Sequence, residues 1–265
     1  MLTLSHVSKT FKVDDNKDND RKALIDVSLE VAEGEFLTVI GGNGSGKTTL
    51  LNVIAGVFMS DEGSIILNGV NLTKVKEHRR AKAIGRVFQD PMVGTVAGMS
   101  VEENMSLALR RGTIPSLQWG LTAKNRTLFT NELSKLQLGL EKRLFTKAGL
   151  LSGGQRQALT LVMATLRRPE LLLLDEHTAA LDPKTAKTVM DLTERLIQEQ
   201  HLTAIMITHN MKDAIRYGNR LVMMSEGRII LDVKGEEKAN LTVEELIQKF
   251  QSAGDVLPDD MLLSK

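Results

Sequence analysis

One octapeptide limits the folds open to this chain more than any other feature. Gly41-Gly42-Asn43-Gly44-Ser45-Gly46-Lys47-Thr48 has the spacing G-x-x-x-x-G-K-[ST], follows the apolar run Phe36 to Ile40 and opens the helix-like run Lys47 to Ala55. A strand passing through a glycine-rich turn straight into a helix predicts a parallel α/β layer. Glycine is needed because only a residue without a Cβ lets successive N–H groups close around an anion, at which the helix directs its positive end. Lys47 then adds a point charge at the β and γ phosphates of a nucleotide. The Thr48 hydroxyl is placed for Mg²⁺ and Thr49 for the α phosphate. Without its context the same segment is only a strand-to-helix turn.

Further along, the consecutive leucines Leu171 to Leu174 lead into Asp175 and Glu176. An apolar run without alternation suits a central parallel strand covered on both faces. A carboxylate at its carboxyl end faces the crevice where such sheets hold ligands, so Asp175 is a candidate Mg²⁺ ligand and Glu176 a candidate base for a water. In isolation the pair reads as a solvated strand end. The upstream glycine loop reverses that judgement.

Around these anchors the first third reads as strands: Met1 to Thr10, Leu24 to Val31, Glu35 to Ile40, and Ser64 to Leu67, the last closed by the turn pair Asn68-Gly69. The polar stretch from Lys12 to Arg21 reads as an exposed hairpin tip. From Ser100 to about Arg168 the pattern turns helical. It begins at the capping-box pair Ser100 and Glu103 and includes a helix from Thr122 to Leu138 on which Leu128, Leu133 and Leu136 recur. A helix opened by Asp182-Pro183 and a strand Ala204 to Thr208 continue the α/β alternation. Thr242 and Glu245 cap a last amphipathic helix, and Ala253 to Lys265 is a tail.

Composition excludes more than it selects. Thirty-four basic against 33 acidic residues give a net charge of +1, so no bulk electrostatic attraction to nucleic acid is expected. The absence of cysteine removes disulfides, thiolate metal sites and cysteine nucleophiles, and is compatible with a reducing cytoplasm. His6, His78 and His201 lack companions at metal-ligand spacing. No apolar stretch approaches the roughly 20 residues that span a bilayer, and the amino terminus has no signal-peptide core. Any membrane span must come from another chain.

Leu151-Ser152-Gly153-Gly154-Gln155 is the sharpest signal in the chain. Ser152 and Gln155 have the S-x-x-Q spacing of a capped helix start, where free N–H donors and a serine hydroxyl can meet a phosphate. The segment resembles the signature of the ATP-binding-cassette (ABC) ATPases, and other landmarks follow in that family's order across residues 2 to 232. Gln89, in Phe88-Gln89-Asp90-Pro91, resembles the Q-loop glutamine, and Ala179-Ala180-Leu181-Asp182 the D-loop. His209 resembles the switch histidine, and Phe11 the aromatic that stacks on adenine, although Phe11 can also be a half-exposed strand aromatic. One departure is His177, where most members carry proline; it is read as a packing variant beside the lesser possibility of a catalytic role.

The resemblance implies a P-loop NTPase core of the RecA type with an N-terminal antiparallel β subdomain. A helical subdomain, about 91–168, is inserted in a cassette spanning 1–235, and 236–265 form a short helix and tail. It implies ATP with Mg²⁺ as ligands: Phe11, residues 41–49, Ser152 to Gln155 and Asp182 on the nucleotide, and Thr48, Gln89 and Asp175 on the metal. Glu176, His209, Gln89 and Lys47 carry the hydrolysis. Because the signature of one subunit completes the phosphate site of another, a dimer of identical subunits is implied. So are transmembrane permease subunits, a separate extracytoplasmic solute-binding protein and a place on the cytoplasmic face of the membrane. Among transporters the chain resembles prokaryotic importers, with an amino-acid-like solute. The competing class is a soluble ABC ATPase acting on nucleic acid or ribosomes, whose coiled-coil insertions or fused second cassette are missing here.

Overall fold

The computed structural model describes residues 1–12, 20–113 and 121–252. The interior of the expected hairpin tip and the tail from Ala253 lie outside these residues. The chain divides into two compact units, Met1–Arg80 with Thr203–Lys265, and Ala81–Leu202. In chain order the first unit begins with β1 (Leu2–Phe11), β2 (Arg21–Val31), β3 (Phe36–Gly41), α1 (Lys47–Ala55), β4 (Glu62–Leu67), β5 (Val70–Asn71) and α2 (Glu77–Arg80). The second holds β6 (Ile84–Val87), α3 (Val101–Leu109), α4 (Ala123–Ser134), α5 (Gly153–Thr165), β7 (Leu171–Asp175) and α6 (Pro183–Glu199). The chain then returns to the first with β8 (Ala204–Ile207), α7 (Met211–Arg216), β9 (Arg220–Ser225), β10 (Arg228–Lys234), α8 (Glu236–Ala239) and α9 (Val243–Ser252).

In the first unit β2, β1, β4 and β5 form an antiparallel sheet in that order. Arg21 pairs with Phe11, so the two strands run to both ends of the polar insert. Asn68 and Gly69 take φ 47° and 79° between β4 and β5, the left-handed pair that a tight hairpin turn requires. The apolar strand β3 is buried throughout and lies between parallel neighbours, Val39 standing opposite Ile207 of β8 and Val222 of β9. An antiparallel β10 completes that sheet beside β9. Beneath it Ile40, Met211, Leu221, Met223 and Val233 pack with Leu246 and Phe250 of α9, which makes the last helix part of this core.

Arg80 secures α1. Its guanidinium is buried without a carboxylate partner in these contacts and donates to Val53 O and Ile54 O at 2.8 and 2.7 Å, and to Val75 O at 2.7 Å. A cation on the last carbonyls of a helix offsets the negative end of its dipole, and burial lowers the Arg80 pKa from its ordinary value.

In the second unit β6 and β7 pair in parallel, Val87 opposite Leu174, and β7 is buried along its whole length. Helix α5 packs with α3, α4 and α6. The expected helix from Thr122 to Leu138 is shorter. Thr122 caps it, accepting from Asn125 N at 3.2 Å, but it ends at Ser134 because Gln137 turns left-handed at φ 57° and Gly139 opens a 3₁₀ turn, Leu140–Lys142. Leu133 and Leu136 are buried as read, whereas Leu128 is exposed and Phe129 occupies the core in its place. Buried Asn104 holds the preceding loop, accepting from Val96 N and donating to the carbonyls of Val96, Met99 and Ser100.

Candidate functional site

Each unit presents its own constellation of the residues singled out above. In the first, the glycine loop leaves β3 under tight steric control. A Cβ on Gly41 would lie 2.3 Å from Met224 O, and one on Gly46, at φ 103°, would lie 2.4 Å from Ala23 O. Gly44 also turns left-handed, at φ 82°, with Arg21 Nη2 only 2.9 Å from its added Cβ. Lys47 is buried and donates through Nζ to Gly41 O and Gly42 O, each at 2.8 Å, so the ammonium is drawn over the loop. The amino terminus of α1 has no side-chain cap at Gly46. Ser45 Oγ is buried without a hydrogen-bond partner. An uncapped helix start, an unsatisfied buried hydroxyl and a folded-over lysine are the chemistry of an anion cradle. Asn43 and Thr48 are exposed and Thr49 half-buried along its rim.

Phe11 stands half-buried at the end of β1 with its ring edge-on to Phe58, centroids 5.0 Å apart at 80°. Lys9 Nζ lies 5.6 Å from the Phe11 ring centroid. His209 follows β8 after Thr208, and Asn210 caps α7 by accepting from Asp213 N at 3.1 Å. Burial raises the Asp213 carboxyl pKa, a shift opposed by the nearby Arg216 and His209.

In the second unit the end of β7 carries three consecutive polar residues with different surroundings. Asp175 Oδ2 lies 3.4 Å from Arg86 Nη2. Glu176 is half-buried and left-handed at φ 43°, a conformation that costs a non-glycine residue roughly 1–2 kcal/mol. His177 is buried, and its Nε2 lies 3.0 Å from Thr193 Oγ1 on α6. Burial pushes the His177 pKa down to about 4. The ring is neutral at pH 7.

Arg86 also stacks over the Phe88 ring at 4.5 Å, and Gln157 Nε2 donates to Phe88 O at 3.1 Å. The exposed Gln89 therefore leaves β6 from a residue gripped on both its ring and its carbonyl. Neither Arg86 nor Gln157 was among the residues singled out, nor was Arg21 beside Gly44. Nothing in their spacing marks them, because each acts across elements distant in sequence.

Ser152 caps α5 in a complete capping box: its Oγ accepts from Gln155 N, and Gln155 Oε1 accepts from Ser152 N, both at 3.3 Å. The Gln155 amide also donates to Leu138 O at 3.2 Å. Gly154 is required inside the unit, since a Cβ there would meet Thr185 Cγ2 at 2.1 Å. Asp182 caps α6 with Pro183 in the first turn, and hydrogen bonds from Thr185 hold its carboxyl below the usual carboxylate range. The described residues contain no group of three or more histidine, aspartate or glutamate side chains gathered to hold a metal ion.

The family model described as ABC transporter matches residues 24–179. A tyrosine transport ATP-binding protein of Clostridioides difficile (strain R20291) is 45% identical over 254 residues, 96% of this chain and all of that protein. The ABC transporter ATP-binding protein YxdL of Bacillus subtilis (strain 168) is 33% identical over 263 residues, 96% of this chain and 95% of its own. Among solved structures, the dimeric post-hydrolysis state of the ATP-binding cassette MJ0796 bound to ADP and Pi superposes with TM-score 0.75 at 28% identity, covering 88% of this chain and 98% of that one. The glycine loop after β3, the capped glycine start of α5 and these likenesses agree, and the chain belongs to the ABC transporter family as an ATP-binding, ATP-hydrolysing subunit.

Proposed function

We propose that this ATPase drives a bacterial importer for a small amino-acid-like solute from the cytoplasmic face of the membrane, as a homodimer beneath permease subunits fed by a separate solute-binding protein. The observation that carries the docking is an apolar surface on the second unit. Met92, Val93 and Val96 after Gln89, and Phe145 and Leu150 before the signature, are exposed. The two segments run side by side, joined by Ala148 N donating to Met99 O at 2.8 Å and Gly149 N to Ala97 O at 2.9 Å. Clustered apolar exposure next to Gln89 suits a protein partner. No helix among the described residues is long and apolar enough to cross a membrane. The amino-acid assignment draws on the 45% identical relative named for tyrosine transport.

In this reading residues 41–49 and Lys47 cradle the phosphates, Phe11 stacks on adenine, and Ser152 to Gln155 with Asp182 face the nucleotide of the second subunit. Thr48 of the first unit, and Gln89 and Asp175 of the second, are the side chains the family resemblance assigns to Mg²⁺, which would supply charge neutralisation when bound. Glu176 takes a proton from water as its oxygen bonds to the γ phosphorus and the bond to the ADP oxygen breaks, with His209 at the γ phosphate. Extraction in mild detergent followed by identification of the bound chains tests the assignment. A permease is expected; a ribosomal or DNA-repair partner would overturn it.

A further inference from the structure

The buried His177, next to the candidate base, has no part in the chemistry described above. Three observations converge on it. Glu176 holds a left-handed φ of 43°, which its side chain does not favour, so surrounding structure must hold it there. His177 is 2% exposed, and its Nε2 lies 3.0 Å from Thr193 Oγ1. Thr193 Oγ1 in turn lies 2.8 Å from Val189 O, to which it donates. A threonine hydroxyl has one hydrogen. With that hydrogen committed to Val189, the imidazole is the donor, and its proton sits on Nε2.

The hydrogen bond joins two points far apart along the chain. The loop after Glu176 turns back through Ala179 N to Glu176 O at 3.0 Å and Leu181 N to Thr178 O at 3.1 Å, then enters α6 at Pro183. Thr193 lies ten residues farther along that helix, roughly 15 Å up its axis at 1.5 Å per residue. His177 thus ties the root of the loop to the middle of α6. A proline at this place would restrain the chain locally through φ, whereas the histidine restrains it through a tertiary contact.

We propose that His177 is a positioning residue: its Nε2–H···Oγ1 bond to Thr193 holds the left-handed turn that aims the Glu176 carboxylate. The proposal rests on Glu176 being the base. The ring touches no nucleotide and transfers no proton. It transmits the placement of α6 to the residue that polarises the attacking water.

The test compares His177→Phe, which keeps an aromatic ring but loses the donor, with Thr193→Val, which removes the acceptor, and His177→Gln, whose amide can donate from a similar position. Turnover, the KM for ATP, ATP binding at equilibrium and thermal midpoint are measured on the full chain, with Glu176→Gln alongside. Phe and Val variants are expected to lose about tenfold in kcat, since small misplacement of a reacting group is costly. KM and ATP affinity should stay within about twofold, because the phosphate cradle is untouched. His177→Gln should recover most of the rate, and the Phe/Val double variant should fall no further than the worse single one. Unchanged kcat, equal losses in kcat and ATP affinity, or no rescue by Gln would each overturn the positioning role. If Glu176→Gln itself hydrolyses ATP at the normal rate, the base assignment falls instead, and this proposal with it.

Discussion

Gly154 offers the sharpest test of what the signature glycines are for. In the sequence they look like donors kept bare for a phosphate, yet the structure gives Gly154 a second duty within its own unit. A Cβ added to it would sit 2.1 Å from Thr185 Cγ2, where carbon atoms ordinarily rest about 3.5–4.0 Å apart. The next Thr185 atom, Cβ, is 3.6 Å away, an ordinary contact. A single methyl group is therefore the obstacle. Gly154→Ala must rotate Thr185 or push α5 from α6, a kind of overpacking that costs about 1–3 kcal/mol. Replacing a helical glycine by alanine returns at most about 1 kcal/mol, less in a first turn. The single variant should be destabilised by about 1–2 kcal/mol. In a Thr185→Ser background, where the methyl is gone, the same change should cost under about 0.5 kcal/mol.

Chemical denaturation of the four proteins of this cycle measures the coupling, and ATP turnover measured on the same samples separates the two duties. Rescue of both stability and turnover by Thr185→Ser assigns Gly154 to packing. Rescue of stability alone leaves the alanine methyl in the way of the ligand and assigns the glycine to the nucleotide as well. Equal stability of Gly154→Ala and wild type in both backgrounds would refute the steric reasoning.

Other changes probe the proposed chemistry. Glu176→Gln should keep ATP affinity, abolish turnover and accumulate a dimer in gel filtration with ATP and Mg²⁺; only monomer, or an unchanged rate, counts against it. Ser152→Arg removes the capping hydroxyl and crowds the start of α5, so hydrolysis should fall while ATP binding by the monomer persists; loss of monomer binding contradicts a signature that works in trans. His177 also predicts a pH effect. Its folded pKa, about 4, lies below the ordinary 6.5, so the unfolded chain binds a proton that the folded chain refuses. Its contribution is complete above pH 6.5 and is lost as pH falls toward 4, on the order of 3 kcal/mol across that window. Urea unfolding of wild type and His177→Gln at several pH values should show the gap between them shrinking or reversing on acidification; parallel curves would contradict a buried neutral imidazole.

What could be read in advance follows from how local each cause is. The glycine loop, the leucine strand, the Ser152–Gln155 box and the Asn68-Gly69 turn are set by residues within a few positions of one another, and each appears where it was read. The β9–β10 hairpin had no reading at all. Its turn is Glu226-Gly227, with φ 45° and 77°, and glutamate at the first left-handed place hides the signal that asparagine gives in the earlier turn. The helix expected to reach Leu138 failed for a related reason, since the positive φ at Gln137 is invisible in a residue that ordinarily favours helix. At the candidate site the hidden parts are all tertiary: Arg80 on the last carbonyls of α1, Arg86 beside Asp175, Gln157 on Phe88, and Thr193 beneath His177. Motif spacing names the atoms proposed to touch nucleotide. The side chains that hold those atoms in place come from elements up to 89 positions away, as between Arg86 and Asp175, and only the folded chain brings them to the motif. His177 shows how the two kinds of information combine. Its place beside Glu176 could be read as a departure from the family, and its work could not, because the partner that gives it meaning stands sixteen residues on, across a turn and into a helix.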